Sequence, residues 1–350
     1  MYRSSWAAAL LLLASATGSW ADPGHPVAVR WWGQNMVSIE TYWNLHVVVD
    51  PHRAKIGYVD PQIPADLVLV SHEHFDVNNV EIVGGQPAVV RGLDERGCVA
   101  ELCGVLDRPP NAPRAKWAVG EAAADASNQA VRVQVVGAWH DNQQGVRQGA
   151  TAMFVIDVDG VRIVHCGDLG QQRLTANQVN ALGQVDVLLL PVGGTYTADG
   201  PAAAGIVGQV KPRLVIPLSY KTPALNLELE DAEPLLNSLG ESTVVQRPVG
   251  NTVAIDSKRP DPGEVEADDS SSAPTVVLLG YEPWQPSGEL AELLERKEAA
   301  CRASQRVFEP LSVAQMNFRP SNGTHTPRWN AEHMMGRELL FFSQAYAARD

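Results

Sequence analysis

Four apolar residues, Leu67-Val68-Leu69-Val70, run directly into Ser71-His72-Glu73-His74-Phe75-Asp76. An unbroken apolar run of this kind predicts a strand buried on both faces, inside a covered sheet. In an extended backbone, residues two apart point the same way and lie about 6.6 Å apart, at a rise of about 3.3 Å per residue. His72 and His74 can then converge on one ion, with Asp76 continuing the row. Neutral imidazoles with a carboxylate are the ligand set of zinc or a similar first-row metal. The chain holds only nine histidines in 350 residues, and two fall here at ligand spacing, which argues against a chance polar loop.

Strands dominate the segments around this one. Val27–Gly33 reads as a strand entering a glycine turn, followed by Met36–Glu40 and by Leu45–Val49, which ends in Asp50-Pro51-His52. Asp50, at a strand end, is placed to support a ligand from behind; His52 reads as a loop residue. Val80–Val83 and Ala88–Val90 follow, with Gly84-Gly85 and Pro87 as a turn between them. The proline-rich residues 97–116 read as a surface insertion. Val131–Val136 delivers Trp139-His140-Asp141, and the pair Thr151–Val158 and Val161–Cys166 closes on Gly167-Asp168-Leu169-Gly170. Strands then alternate with helices: Thr175–Leu182, Val185–Leu190, Ala202–Val210 and Arg213–Pro217. This order predicts sheet layers covered by helices, an α/β sandwich.

His72, His74, Asp76, His140 and Asp168 all fall just past predicted strand ends, where a rigid scaffold can hold them open to substrate. Three imidazoles and one remaining position form the pattern of a catalytic zinc, whose fourth position takes water. Either Asp76 or Asp168 can orient that water or take its proton.

A net charge of −13 argues against a nucleic-acid surface and against anionic membranes. The expected partner is a small-molecule substrate. Arg3, the apolar stretch Trp6–Ala16 and Ser19-Trp20-Ala21 predict a secretory signal at residues 1–21 that is too short to span a membrane. No later segment reaches spanning length. The mature protein is expected to be exported, periplasmic or secreted. In an oxidising compartment Cys98 and Cys103 are close enough in sequence to pair, whereas Cys166 reads as a buried hydrophobe.

From Val29 to about Ile255 the residues resemble the metallo-β-lactamase fold, and within it the branch that includes the ascorbate-6-phosphate lactonases. That family carries H-x-H-x-D-H, which here reads His72-Glu73-His74-Phe75-Asp76-Val77. Its third histidine matches His140, and its metal-bridging aspartate matches Asp168. Pro191-Val192-Gly193-Gly194-Thr195-Tyr196 is similar to that branch's stretch after the late strand. The resemblance implies an αββα sandwich over residues 22–257, metal ligands at His72, His74, Asp76, His140 and Asp168, and catalytic roles for Asp76 and Asp168. Two family histidines are replaced, by Val77 and by Ser219, and both would serve a second metal. One tight zinc ion is therefore expected, and any second ion would be a hard cation such as Mn²⁺ or Mg²⁺ on Asp76, Asp168 and water.

The implied activity is an exported metal-dependent hydrolase acting on a small polar ester, lactone or phosphoester through a metal-bound water. The alternative is a degenerate metal-binding protein without turnover. Residues 258–275 read as an acidic linker. Residues 276–350 read as helical, with apolar spacing from Leu290 to Leu311. Trp329–Gly336 resembles the start of a DinB-like four-helix bundle, in which His333 matches the first metal histidine. Two helices cannot enclose a bundle core, so the expectation is either a truncated chain or a pair that docks on the first domain or on another copy in a homo-oligomer.

Overall fold

The computed structural model describes residues 26–100, 102–108, 112–120, 129–256, 274–285, 296, 306–319 and 326–328. The leader at residues 1–21, most of the acidic stretch, Cys301 and the DinB-like segment with His333 lie outside the described residues. Among those described, no helix is long and apolar enough to cross a membrane.

Two sheets carry the structure. The first has six strands in the order β14-β1-β2-β3-β4-β5, formed by β1 (Val27–Gly33), β2 (Met36–Glu40), β3 (His46–Val49), β4 (Pro64–Val70), β5 (Gly84–Arg91) and β14 (Thr252–Ile255). The second has nine, in the order β13-β15-β12-β11-β10-β9-β8-β6-β7. Its members are β6 (Cys103–Asp107), β7 (Lys116–Val119), β8 (Val131–Trp139), β9 (Ala150–Val158), β10 (Val161–His165), β11 (Val187–Pro191), β12 (Leu214–Leu218), β13 (Val245–Gln246) and β15 (Thr275–Val277).

Period-two alternation explains why Leu67–Val70 of β4 is apolar at every position. Leu67 and Leu69 enter the large core shared with the second sheet, beside Val29, Trp31, Val37, Ile39, Val47 and Val49. Val68 and Val70 face the other way, into a smaller cluster with Trp32, Met36 and Val48. That outer face is sealed by Ile63, by Val80 and Ile82 of a single 3-10 turn, and by Trp284. Burying a side chain of this size contributes about 1.5–3 kcal/mol, so both faces stabilise the strand.

In the second sheet β10, β11 and β12 are parallel neighbours. Parallel neighbours need crossovers, here through α1 (Ala176–Leu182) and α2 (Gly200–Val210). The inner face being taken by the other sheet, these helices cover the outer one. Leu182, Ala203, Ile206 and Val207 join the core from them, with Leu235 from α3 (Glu233–Leu239). A capping box between Thr175 and Gln178 starts α1, and the Asp199 side chain caps α2. A short fourth helix, α4 (Val313–Met316), lies near the C-terminus. The α/β sandwich expected from the element order is thus the observed architecture.

Several local expectations are corrected. Gly84, Gly85 and Pro87 do not form a turn but lie within β5, an edge strand where proline's missing N–H is tolerated. Val80–Ile82 is a 3-10 turn rather than a strand. The insertion at 97–116 supplies β6 and β7, because β6 pairs antiparallel with β8 and extends the sheet. Thr275–Val277 is a strand between β12 and β13, so the sandwich draws on residues beyond the acidic stretch rather than ending at 257. Cys98 and Cys103 are exposed free thiols, not a disulfide, and Cys166 is buried as read from its apolar strand.

Candidate metal centre

Five strand ends and one turn converge on one edge of the sandwich. β4 delivers Ser71 to Asp76, β8 delivers His140, and β10 delivers Asp168. β3 ends at Asp50, β12 at Ser219, and the β1–β2 turn carries Gln34 and Asn35. Gln34, Asp50 and Ser219 all have left-handed backbones, near φ +49. A non-glycine residue adopts that conformation at a cost, and three of them here mark a tightly specified edge. The two sheets are tied at the same point, where Ala152 N–H donates to the Ser71 carbonyl over 3.1 Å.

His72, His74, His140 and Asp168 each turn one ligand atom inward, and these four atoms lie within 4.8 Å of one another. His72 Nε2 is 3.0 Å from His74 Nδ1, and His140 Nε2 is 3.2 Å from the same atom. Asp168 Oδ2 is 3.5 Å from His72 Nε2 and 3.2 Å from His140 Nε2. For a tetrahedral zinc with bonds of about 2.0–2.1 Å, the ligand-to-ligand edge is about 3.3–3.4 Å. The observed separations bracket that edge, so the donor set fits a first-row divalent ion in both chemistry and size.

The His72 ring and the backbone that carries His140 and Asp168 are held by identifiable contacts, whereas the outer ring nitrogen of His140 is buried without a partner. Ser71 Oγ donates to Asp50 Oδ2 over 2.7 Å, so its lone pair accepts from His72 Nδ1–H at 2.9 Å. His72 is thereby fixed with its Nε2 lone pair aimed at the centre. Asp50 thus supports a ligand from behind, as its strand-end position suggested. The backbone behind His140 is set by Asp141, whose carboxylate accepts from the backbone N–H groups of Gln143, Gly145, Arg147 and Gln148 at 2.7–2.9 Å. Desolvation would raise its carboxyl, but these four donors hold it down at about 2. Gly170 packs directly on the His140 backbone, where a Cβ would collide with the His140 carbonyl. Gly167 turns the chain into Asp168 at φ +53, and a Cβ there would meet Ala152 O at 2.7 Å.

Electrostatics favour the ligating forms of His72, His74 and Asp168, whereas at His140 burial is outweighed by the hydrogen bond and charge of Asp168, which hold its imidazole above the ordinary range. Burial pushes His72 down to about 3 and lowers His74 as well, so both imidazoles are neutral near pH 7. Burial works against the Asp168 carboxylate, but its hydrogen bond with His140 and the imidazole charges hold it below the ordinary carboxylate range. His72, His140 and Asp168 are buried, whereas His74 is exposed. The centre therefore opens on the His74 side, where Phe75 and Trp139 are also exposed.

Asp76, expected to continue the row of His72 and His74, stands outside this group. The backbone turns after His74, with Val77 N–H donating to the His74 carbonyl over 3.2 Å, and the extended alternation stops there. Asp76 instead accepts from Gln34 Nε2 at 3.2 Å. Burial, then the nearby Asp168 charge, raises its carboxyl to about 6. Val77 is fully buried and apolar, and Ser219 Oγ donates to Asn35 Oδ1 over 2.6 Å. Asn35 Nδ2 in turn donates to Asp168 Oδ1. Gln34, Asn35 and Ser71 escaped the sequence reading. Only the Gly33-Gln34-Asn35 turn hinted at the first two, and nothing in that turn specifies its partners. His52, read as a loop residue, is buried with its Nε2 on the Trp32 carbonyl at 3.0 Å.

A family profile for the beta-lactamase superfamily domain matches residues 28–219. A UPF0173 metal-dependent hydrolase of Thermococcus kodakarensis is 27% identical over 208 residues, covering 57% of this chain and 88% of that protein. One from Carboxydothermus hydrogenoformans is 30% identical over 202 residues, covering 53% of this chain and 81% of that protein. A solved structure from Thermotoga maritima, assigned to the metallo-β-lactamase superfamily, has 26% identity and a TM-score of 0.48, covering 73% of this chain and all of that one.

Proposed function

We propose, from the premise that this chain belongs to the metallo-β-lactamase superfamily and to its UPF0173 group of metal-dependent hydrolases, that His72, His74, His140 and Asp168 hold one zinc ion for hydrolysis of a small polar ester, lactone or phosphoester. The carrying observation is the convergence of four donor atoms within 4.8 Å, with four of their separations at 3.0–3.5 Å and His72 backed by the Asp50–Ser71 pair. With Asp168 as fourth ligand, such an ion would need a further coordination position for water, and there it would supply Lewis acidity and lower that water's pKa toward about 7. The protein residues divide the remaining tasks. The Asp50–Ser71 pair presents the His72 lone pair, and the Asp141-organised loop presents His140. Asp168 adds the one negative charge within the group. Asp76, raised to about 6 and steadied by Gln34, is the carboxyl nearest the site that can accept and return a proton near neutrality. The exposed side at His74, flanked by Phe75, gives a substrate access without opening the core.

The sequence supports an exported setting through its leader-like residues 1–21, and a small-molecule substrate suits a single recessed centre. A second reading, metal binding without turnover, is favoured by the missing imidazoles at Val77 and Ser219. A panel of lactones, carboxylic esters and phosphodiesters, assayed with zinc added and then chelated, separates the two. Zinc-dependent turnover of any panel member that vanishes in His140→Ala supports the hydrolase. A zinc-loaded protein silent on all of them favours the binding protein.

A further inference from the structure

We propose that the side-chain amides of Gln34 and Asn35 take the place of a second cation and so restrict the centre to a single ion. This rests on the reading of His72, His74, His140 and Asp168 as the first-ion site. By resemblance, a second ion would use Asp76, Asp168 and histidines at positions 77 and 219. Neither histidine is present, yet both carboxylates remain, and both are buried. One oxygen of Asp76 and both oxygens of Asp168 have partners. Gln34 Nε2 donates to Asp76 Oδ2, and Asn35 Nδ2 donates to Asp168 Oδ1, while Asp168 Oδ2 faces His72 and His140. Asp168 therefore divides its two oxygens between the first-ion site and an amide.

An amide N–H presents a positive hydrogen and cannot ligate a cation. An ion entering between Asp76 and Asp168 has to displace both donors. Asn35 is fully buried, so its displaced NH₂ would stay unsatisfied, a costly outcome in the interior. Nor is the amide free to turn over. A flip would set Asn35 Oδ1 against Asp168 Oδ1, two acceptors with no hydrogen between them. The backbone of the turn and the Asn35 amide are held in place, whereas the Gln34 amide oxygen is buried without a partner: Ser219 Oγ donates to Asn35 Oδ1, His165 Nε2 to the Asn35 carbonyl at 2.9 Å, and Trp31 Nε1 and Ser219 N–H to the Gln34 carbonyl at 2.9 and 3.0 Å. The serine standing at the lost histidine position thus orients the asparagine that covers the carboxylate.

The test is metal stoichiometry of the full chain, by native mass spectrometry and by titration calorimetry with Zn²⁺ and Mn²⁺. The wild type is expected to bind one ion. Gln34→Glu combined with Asn35→Asp exchanges both donors for carboxylate oxygens of similar shape. This double variant is expected to bind a second Mn²⁺ at least tenfold more tightly than the wild type does. If circular dichroism shows it unfolded, Asn35→Ala carries the same test, since it uncovers Asp168 Oδ1 without adding charge, and second-ion binding is again expected to rise. Two tight ions in the wild type, or a single ion in a folded variant, would overturn the inference while leaving the first-ion site intact. A wild type that binds no ion would instead overturn the first-ion reading, and this inference with it.

Discussion

Removing one hydroxyl, at Ser71, should separate metal affinity from fold. Ser71 Oγ lies 2.7 Å from Asp50 Oδ2 and 2.9 Å from His72 Nδ1, and its single proton goes to the carboxylate. Ser71→Ala deletes the acceptor that keeps the His72 proton on Nδ1, so Nε2 is no longer held as a lone pair aimed at the centre. Loss of such a support typically costs 10–100-fold in metal affinity, or about 1.4–2.7 kcal/mol. The fold loses less than the contact list suggests, because the Ser71 backbone N–H still holds Asp50 Oδ1 at 2.7 Å. A destabilisation of about 1–3 kcal/mol is expected from the buried groups left unpaired. Zinc affinity is measured by competition with a chromophoric chelator at pH 7, and stability by urea unfolding of the metal-free protein. A folded Ser71→Ala protein that binds zinc as tightly as wild type would refute the reasoning about proton placement.

Three further outcomes follow from the same geometry. His72→Ala with His140→Ala removes two of three imidazoles and should abolish tight zinc binding in elemental analysis; a metal-loaded double variant would disprove the ligand set. His165 is fully buried and its ionisation is pushed by burial from 6.5 to about 4. Between those pH values the unfolded chain binds the extra proton, so stability falls as pH drops through the window, by on the order of 3 kcal/mol at about 1.36 kcal/mol per pKa unit. In metal-free protein His165→Gln should show a shallower loss between pH 7 and pH 4.5 by urea unfolding, and parallel curves would count against this assignment. Cys98 and Cys103 should react with a thiol reagent in the native state while Cys166, buried and with its ionisation pushed up, should not; protection of Cys98 and Cys103 that ends on reduction would restore the disulfide.

What the sequence made legible was whatever a short-range pattern encodes. The two-faced burial of β4 followed from four consecutive apolar residues, and the ligands after it from two histidines one residue apart. His140 and Asp168 were found because each ends a strongly apolar strand. Asp76 does not continue the row of His72 and His74 because a turn at His74–Val77 takes over past the strand end. Strands β5 and β6 were obscured by Gly84, Gly85, Pro87 and the prolines after Asp107, residues whose turn signals are overridden at sheet edges by pairing with β4 and β8. The Gln34–Asp76 and Asn35–Asp168 contacts span 42 and 133 residues, and no local pattern specifies such pairings.

The central claim, one metal ion on four named atoms, is tested most directly by anomalous diffraction at the zinc edge from crystals grown with one equivalent of zinc. A single peak about 2.0–2.2 Å from His72 Nε2, His74 Nδ1, His140 Nε2 and an Asp168 oxygen is the predicted result. A peak elsewhere on the protein, with none among these atoms, would contradict it.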